Sequence, residues 1–372
     1  MTVLRWATAV AVATALSLWF APAAASAQSA TSATTGGTQP VRVGQVAEQD
    51  VPPAPGSEPD TLVEPDVAVS PRDSRIAVAV AHDGRFPDGG AVAISYSWTH
   101  DAGRTWHHAP LPGLTTATGG DWPRASDPVV AFGPDGTVYV STLVFTLDCP
   151  GGVAVSRSTD GGRTFAPPVL VHVSTVCTYT DDKNWLVVDT NPGSPHRGRL
   201  YQFWTAFLSD DAGNPLGSPQ VVRWSDDRGQ HWSDTATAST TADTQNSQPM
   251  IERDGTIVDT YLVYPPGADR EGAEHQEALE SARGAAPGTT ASGAPRTAAE
   301  PVGDRVVAVT SRDGGRTWSS EVDVTSDVSA GPAGVRCCLP SATIDPRTGL
   351  HYLAWNSVTA RSVKLSISSD GR

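Results

Sequence analysis

The stretch "TDGGRTF" (residues 159–165) decides how this chain is read, because it does not occur only once. Variants stand at "HDAGRTW" (100–106), "DDRGQHW" (226–232) and "RDGGRTW" (312–318), and the sequence ends on "SDGR" (369–372). In each copy the aspartate can accept hydrogen bonds from backbone amides just downstream. The glycine supplies the positive φ of a tight turn, and the closing aromatic folds back as an apolar plug. An alternating strand precedes the copies, as in "AVAISYSW" (91–98), "VAVSRS" (153–158), "QVVRWS" (220–225) and "RVVAVTS" (305–311). One such unit would be a hairpin and nothing more.

Recurrence turns the hairpin into an architecture. Asp101, Asp160, Asp227, Asp313 and Asp370 are separated by 59, 67, 86 and 57 residues, too far for a hairpin and right for a four-stranded sheet with its loops. A second series of turns keeps the same register, in "VAVSPRDSRIAVAVAH" (67–82), "VVAFGPDGTVYVSTLVF" (129–145), "MIERDGTIVDTYLVY" (250–264) and "ATIDPRTGLHYLAW" (342–355). The expected fold is all-β, a propeller of repeated four-stranded blades.

The flanks and the composition bound what such a chain does. Residues 1–27 combine Arg5, the apolar run "WATAVAVATALSLWF" and the small-residue stretch "APAAASA", the pattern of a secretory signal with cleavage near Ala27. Residues 28–60 are rich in Ser, Thr, Gly, Pro and Ala and read as a flexible leader. No later run reaches membrane-spanning length. With 40 acidic against 26 basic residues and a net charge of −14, the chain lacks the basic surface that nucleic acid or anionic membrane requires. Four cysteines are present, Cys149, Cys177, Cys337 and Cys338. Outside the cell they are expected to be oxidised; Cys149 with Cys177 is a plausible pair because both fall in neighbouring connections, while Cys337 and Cys338 could join each other or pair elsewhere. No cysteine or histidine spacing suits zinc, and neither a metal nor a cofactor is expected.

The turn set resembles the Asp-box, or BNR, repeat of the sialidase superfamily, whose members are six-bladed propellers. The resemblance covers about residues 61–372 and places "SDGR" inside the fifth blade, so this sequence would cover about five blades. In that family the box joins the third and fourth strands of a blade. The starts of the innermost strands and the second-to-third strand loops then share the opposite face, around the mouth of the central channel. Charged groups converge there: Arg85, Asp88, Arg124, Asp127, Asp182, Lys183, Arg336 and Arg361, with Glu64 and Asp66 at the first strand. Trp185 and Trp122 are the candidates for stacking on a sugar.

The resemblance also implies roles. In "DGRFPDGGAVAISYSWTHDAGRTW" (83–106) Asp88 takes the place of the family's acid/base aspartate, with Arg85 beside it, and "ARSVKLSISSDG" (360–371) nominates Arg361 as a carboxylate clamp. Val63 stands where the family carries its first clamping arginine, and Gln248 where it carries a glutamate base. The family's nucleophilic tyrosine would fall beyond residue 372. The expected function is that of a secreted exo-glycosidase of the exo-sialidase type, acting on terminal sugars of extracellular glycans. The alternative is a propeller that binds glycan or protein without catalysis, and oligomeric state is left open.

Overall fold

The computed structural model describes residues 50–147, 149–264, 304–328, 339–357 and 362–369, and the backbone of Ala7–Thr8. Five antiparallel blades, in four sheets, are found among the described residues, in chain order. Blade I comprises Asp66–Val69, Ala77–Arg85, Ala91–Thr99 and His107–Pro110, and blade II Arg124–Phe132, Val138–Phe145, Gly151–Ser158 and Val169–Ser174. Blade III comprises Tyr179–Val188, Leu200–Ser209, Gln220–Ser225 and Ala236–Thr237, with Pro215–Gly217 as a side hairpin. Blade IV comprises Thr244–Ile251, Ile257–Val263, Asp304–Ser311 and Val322–Val328, and blade V Ser341–Ile344, Leu350–Asn356 and Val363–Ser369. The two-residue strand Ala7–Thr8 pairs with Ile367 and Ser366 on the outer edge of blade V. Blades I and II are joined into one eight-stranded sheet where Ala91 meets Ala125.

The core lies between blades. Val78, Val80, Ile94 and Tyr96 of blade I pack on Val130, Phe132, Val138, Val140 and Phe165 of blade II. Tyr139, Leu143, Val153 and Val155 of blade II pack on Leu186, Val188, Leu200 and Trp204 of blade III. Leu262, Tyr264 and Val306 of blade IV meet Leu353 and Trp355 of blade V. Alternation along each strand gives the sheets apolar faces, and stacking neighbours buries those that meet, while Val67 and Val69 of blade I and Val363 and Leu365 of blade V stay exposed.

The repeated turn has one geometry in its four described copies. Thr99, Ser158, Ser225 and Ser311 each donate a hydroxyl to the box aspartate, at 2.8, 2.7, 2.9 and 3.0 Å. The same aspartate oxygen accepts the amides of the third and fourth residues on, for example Arg163 at 2.9 Å and Thr164 at 3.0 Å from Asp160. Glycine is required at Gly162, which has φ +90° and lies so close to blade I that a Cβ would stand 2.3 Å from Val78 Cγ2. The second, third and fourth boxes therefore also contact the preceding blade, Gly162 at Val78, Gly229 at Val155 and Gly315 at Trp224 and Tyr201. Asp370 lies outside the described residues.

The expected signal peptide lies outside the described residues apart from Ala7–Thr8, as does the leader to residue 49. The end of that leader is held down and is not a free tether. Val51 is buried with Phe86, Val92 and Ala93. The Asp50 amide donates to Asp83 Oδ2 at 2.9 Å, and the Glu58 amide to the Arg85 carbonyl at 2.7 Å. One apolar anchor and a few backbone bonds suffice to order a Pro-rich strap whose composition reads as loose.

Candidate functional site

The innermost strands of blades II, III and IV share one irregularity: register slips between Ser126 and Val129, between Asp182 and Trp185, and between Gln245 and Gln248. Inside these bulges Asp127, Lys183 and Asn246 adopt φ of 48°, 43° and 67°, and Glu64, just before the first innermost strand, has φ 52°. Such left-handed backbone is uncommon for side-chain-bearing residues and gathers at functional sites. A bulge re-aims a side chain, and here blades II, III and IV each carry one polar residue at the bulge, with Glu64 just ahead of the first strand of blade I.

These residues are wired from blade to blade. The Lys183 ammonium lies 3.1 Å from Asp127 Oδ2 and 3.8 Å from Glu64 Oε2. Gln245 Nε2 donates to Asp182 Oδ2 at 2.8 Å, and Asn246 Nδ2 to the Pro340 carbonyl at 2.9 Å. Asn184 Nδ2 donates to Ser141 Oγ of blade II at 2.7 Å. Asp66 Oδ2 accepts the Val130 amide at 2.8 Å, locking blade I to blade II just below Glu64.

Beneath the mouth lies His82, which is buried. Its Nε2 accepts the Asp127 amide at 2.9 Å, which puts the ring proton on Nδ1. Burial pushes the His82 imidazole down to about 4, so it is neutral at physiological pH. Ser126 Oγ donates to Asp127 Oδ1 at 2.7 Å. One oxygen each from Glu64 and Asp127 and one ring nitrogen of His82 lie within 4.8 Å of one another. Three donors at that spacing can hold a cation, but the His82 Nε2 lone pair is already committed and the Lys183 ammonium supplies the positive charge.

The two carboxyl groups are driven apart in proton affinity. Burial, and then the negative charge of Asp127, raise Glu64 above the ordinary carboxylate range. Asp127 is itself penalised by burial, but Lys183 and the Ser126 hydroxyl outweigh that and hold it below. Asp127 in turn raises Lys183, keeping the ammonium charged. Solvent reaches 52% of the Glu64 side chain and 11% of Asp127. The site thus sets an accessible carboxyl of raised proton affinity beside one held lower, a pairing that marks acid and base roles.

Other predicted residues find different partners. Both Asp88 oxygens accept from the Arg124 guanidinium, at 2.8 and 3.2 Å. Arg124 also donates to the Gly89 carbonyl at 2.8 Å and lies 3.9 Å over the Phe86 ring. Arg85 pairs with Glu58 at 3.2 Å. Arg85, at the end of its strand, and Asp88, in the turn that follows, therefore have separate partners, and Arg124 is spent on Asp88. Trp185 packs, partly buried, against core residues of blades II to IV and Trp122 against the core of blades I and II. Arg336, Arg361, Cys337 and Cys338 lie outside the described residues. Cys149 and Cys177 are bonded to each other, tying the second-to-third strand loop of blade II to the connection into blade III. Gln248 is buried and donates to the Ser247 carbonyl at 3.1 Å.

Sequence reading sets Glu64 among the charges of the mouth without a catalytic role and does not single out His82. The available signal was a charged residue at the matching start of three innermost strands, in "VEPD", "ASDP" and "DDKN".

No protein-family model matches the chain, and no curated protein matches it. Solved structures do. A Hadza microbial sialidase, Hz136, superposes with a TM-score of 0.52 at 17% identity, over 82% of this chain and 56% of that one. The leech intramolecular trans-sialidase, solved with 2,7-anhydro-Neu5Ac, gives 0.51 at 14% identity, over 90% and 60%. The chain thus spans less than two thirds of the length of either protein. At such identities the likeness concerns architecture. The chain has a sialidase-like β-propeller fold, built of antiparallel four-stranded blades.

Proposed function

We propose that this chain is a secreted glycoside hydrolase that cleaves a terminal sugar at the mouth formed by Glu64, Asp127 and Lys183. The carrying observation is that two carboxyl oxygens lie within 4.8 Å of each other while their environments push their proton affinities in opposite directions. Hydrolysis with retained configuration uses two carboxyl groups at the scissile bond, one donating a proton and one attacking.

In that scheme Glu64 protonates the glycosidic oxygen and the leaving alcohol departs with the proton. Asp127 attacks the anomeric carbon and forms a glycosyl ester. Water then breaks the ester while Glu64 takes back a proton. Lys183 keeps Asp127 ionised before attack, and the His82 ring, neutral and hydrogen-bonded to the Asp127 amide, fixes the bulge that aims it. Export is supported by the leading segment and by the Cys149–Cys177 bond.

The substrate class follows from the arginines. Clamping a sialate carboxylate needs free guanidinium forks, and among the described residues of the mouth Arg85 and Arg124 are paired with Glu58 and Asp88. A neutral terminal sugar fits this mouth better than sialic acid. The test is hydrolysis of neutral aryl glycosides, with the anomeric configuration of the product read by NMR. Retention supports the scheme and inversion contradicts it. The mutual pairing of Lys183 with both carboxyl groups favours one second reading, a propeller that binds glycan without cutting it, for which no glycoside is turned over.

A further inference from the structure

The third Asp box differs from its siblings at one pair of positions facing across the hairpin. In the first box Trp98 is covered by the His107 ring opposite, with centroids 5.3 Å apart and planes 28° apart. The corresponding pairs are Arg157 with Ala166 in the second box and Thr310 with Ser319 in the fourth, matched by the backbone bonds from Ala166 to Arg157 and from Ser319 to Thr310. In the third box the pair is Trp224 with Ser233. The indole is kept there, and the ring that would cover it is replaced by a hydroxymethyl group.

The space that results is a shallow cavity of about 270 Å³ lined by Trp224, Asp226, Asp227, His231, Trp232 and Ser233. His231 replaces the threonine of the other boxes. Its Nδ1 lies 2.6 Å from Asp227 Oδ2, and 89% of its side chain is open to solvent at the rim. The acids here are balanced. Asp226 accepts from Arg199 Nε and Nη2, both at 2.8 Å, and the Arg316 and Arg199 guanidinium groups lie over the Trp224 ring, 5.4 and 5.8 Å from its centroid, without lining the cavity. A cation would therefore meet a compensated surface, whereas an uncharged ring bearing hydroxyls finds an indole for its C–H face and carboxylate oxygens for its O–H groups.

We propose that this cavity is a carbohydrate-binding subsite for one neutral pyranose ring, on the box face of blade III and opposite the mouth. The stacked His107 of the first box shows that a flat ring is accommodated at this position. The subsite would hold a sugar of the same glycan, or of another, away from the catalytic residues.

The test is a titration with methyl pyranosides of glucose, galactose, mannose and N-acetylglucosamine, followed by tryptophan fluorescence and by the indole N–H signals. At least one is expected to give a saturable shift. Ser233→His, which restores the stacked ring of the first box, should weaken that binding tenfold or more, and Trp224→Phe should weaken it as well. Glu64→Gln should leave it unchanged. The proposal is overturned if none of the four gives a saturable change, if folded Ser233→His or Trp224→Phe binds as the parent does, or if Glu64→Gln removes the signal and so places the sugar at the mouth.

Discussion

Lys183 belongs to blade III, yet its ammonium stands 3.1 Å from Asp127 of blade II, each residue lying in its own strand's bulge with left-handed backbone. The ion pair is thus a strut between blades as well as the charge that keeps Asp127 ionised. Replacing it by Lys183→Met removes the main influence lowering Asp127 and one of those lowering Glu64, so both groups should titrate at higher pH. The acid limb of kcat/KM is expected to move upward, with roughly a tenfold loss at pH 5. Stability should follow the same sign. Asp127 is held low in the fold, so its contribution is present above its unfolded value and lost as pH falls, and the variant should lack that loss. A pH profile identical to that of the parent would contradict the assignment.

Asp88 is engaged on both oxygens by Arg124, which suits a strut and not a proton donor. Asp88→Asn is expected to retain hydrolysis within about threefold and to lower stability by about 2 kcal/mol, because a largely buried guanidinium loses its counter-charge. Urea unfolding and steady-state kinetics measure the two effects separately. Loss of activity without loss of stability would return the acid role to Asp88.

The contrast between these pairs shows what was legible in the sequence. The boxes were, because Ser158, Asp160, Gly162 and Thr164 complete their hydrogen bonds within seven residues, so composition and spacing carry the geometry. The blades followed from their repetition, and the bond between Cys149 and Cys177 from their neighbouring connections. The site was legible only as a neighbourhood. Which partner Arg124 or Lys183 chooses depends on two blades being docked, and nothing local distinguishes a clamp from a strut. The bulges were equally hidden, since "ASDP", "DDKN" and "QNSQ" share no residue type at the left-handed position.

Asp259 is fully buried on the second strand of blade IV, where burial pushes its carboxyl up to about 8 while Ser247 Oγ donates to it at 2.8 Å. The folded state therefore keeps a proton that the unfolded chain releases near pH 4, and stability falls as pH rises from about 4 to 8. Asp259→Asn should abolish that slope and stabilise the protein at pH 7 by a few kcal/mol, on the order expected for a shift of this size. Thermal unfolding at pH 5 and pH 8 checks it; an unchanged slope would mean that the proton is not held.

The Cys149–Cys177 bond spans 28 residues. Closing a loop of that length restricts the unfolded chain by about 3 kcal/mol. Cys149→Ser with Cys177→Ser should lower stability by that order without changing the far-ultraviolet signature of the sheets, and a non-reduced digest of the parent should yield the linked peptides. Separate peptides would remove the tie.

The most direct measurement of the central claim is the pH-dependent hydrolysis of neutral and sialyl 4-methylumbelliferyl glycosides by the parent and by Glu64→Gln. A neutral glycoside should be turned over, with an alkaline limb above the ordinary carboxylate range set by Glu64, and the variant should lose roughly a thousandfold in rate. Turnover that survives in Glu64→Gln, or that is confined to the sialoside, would contradict the account.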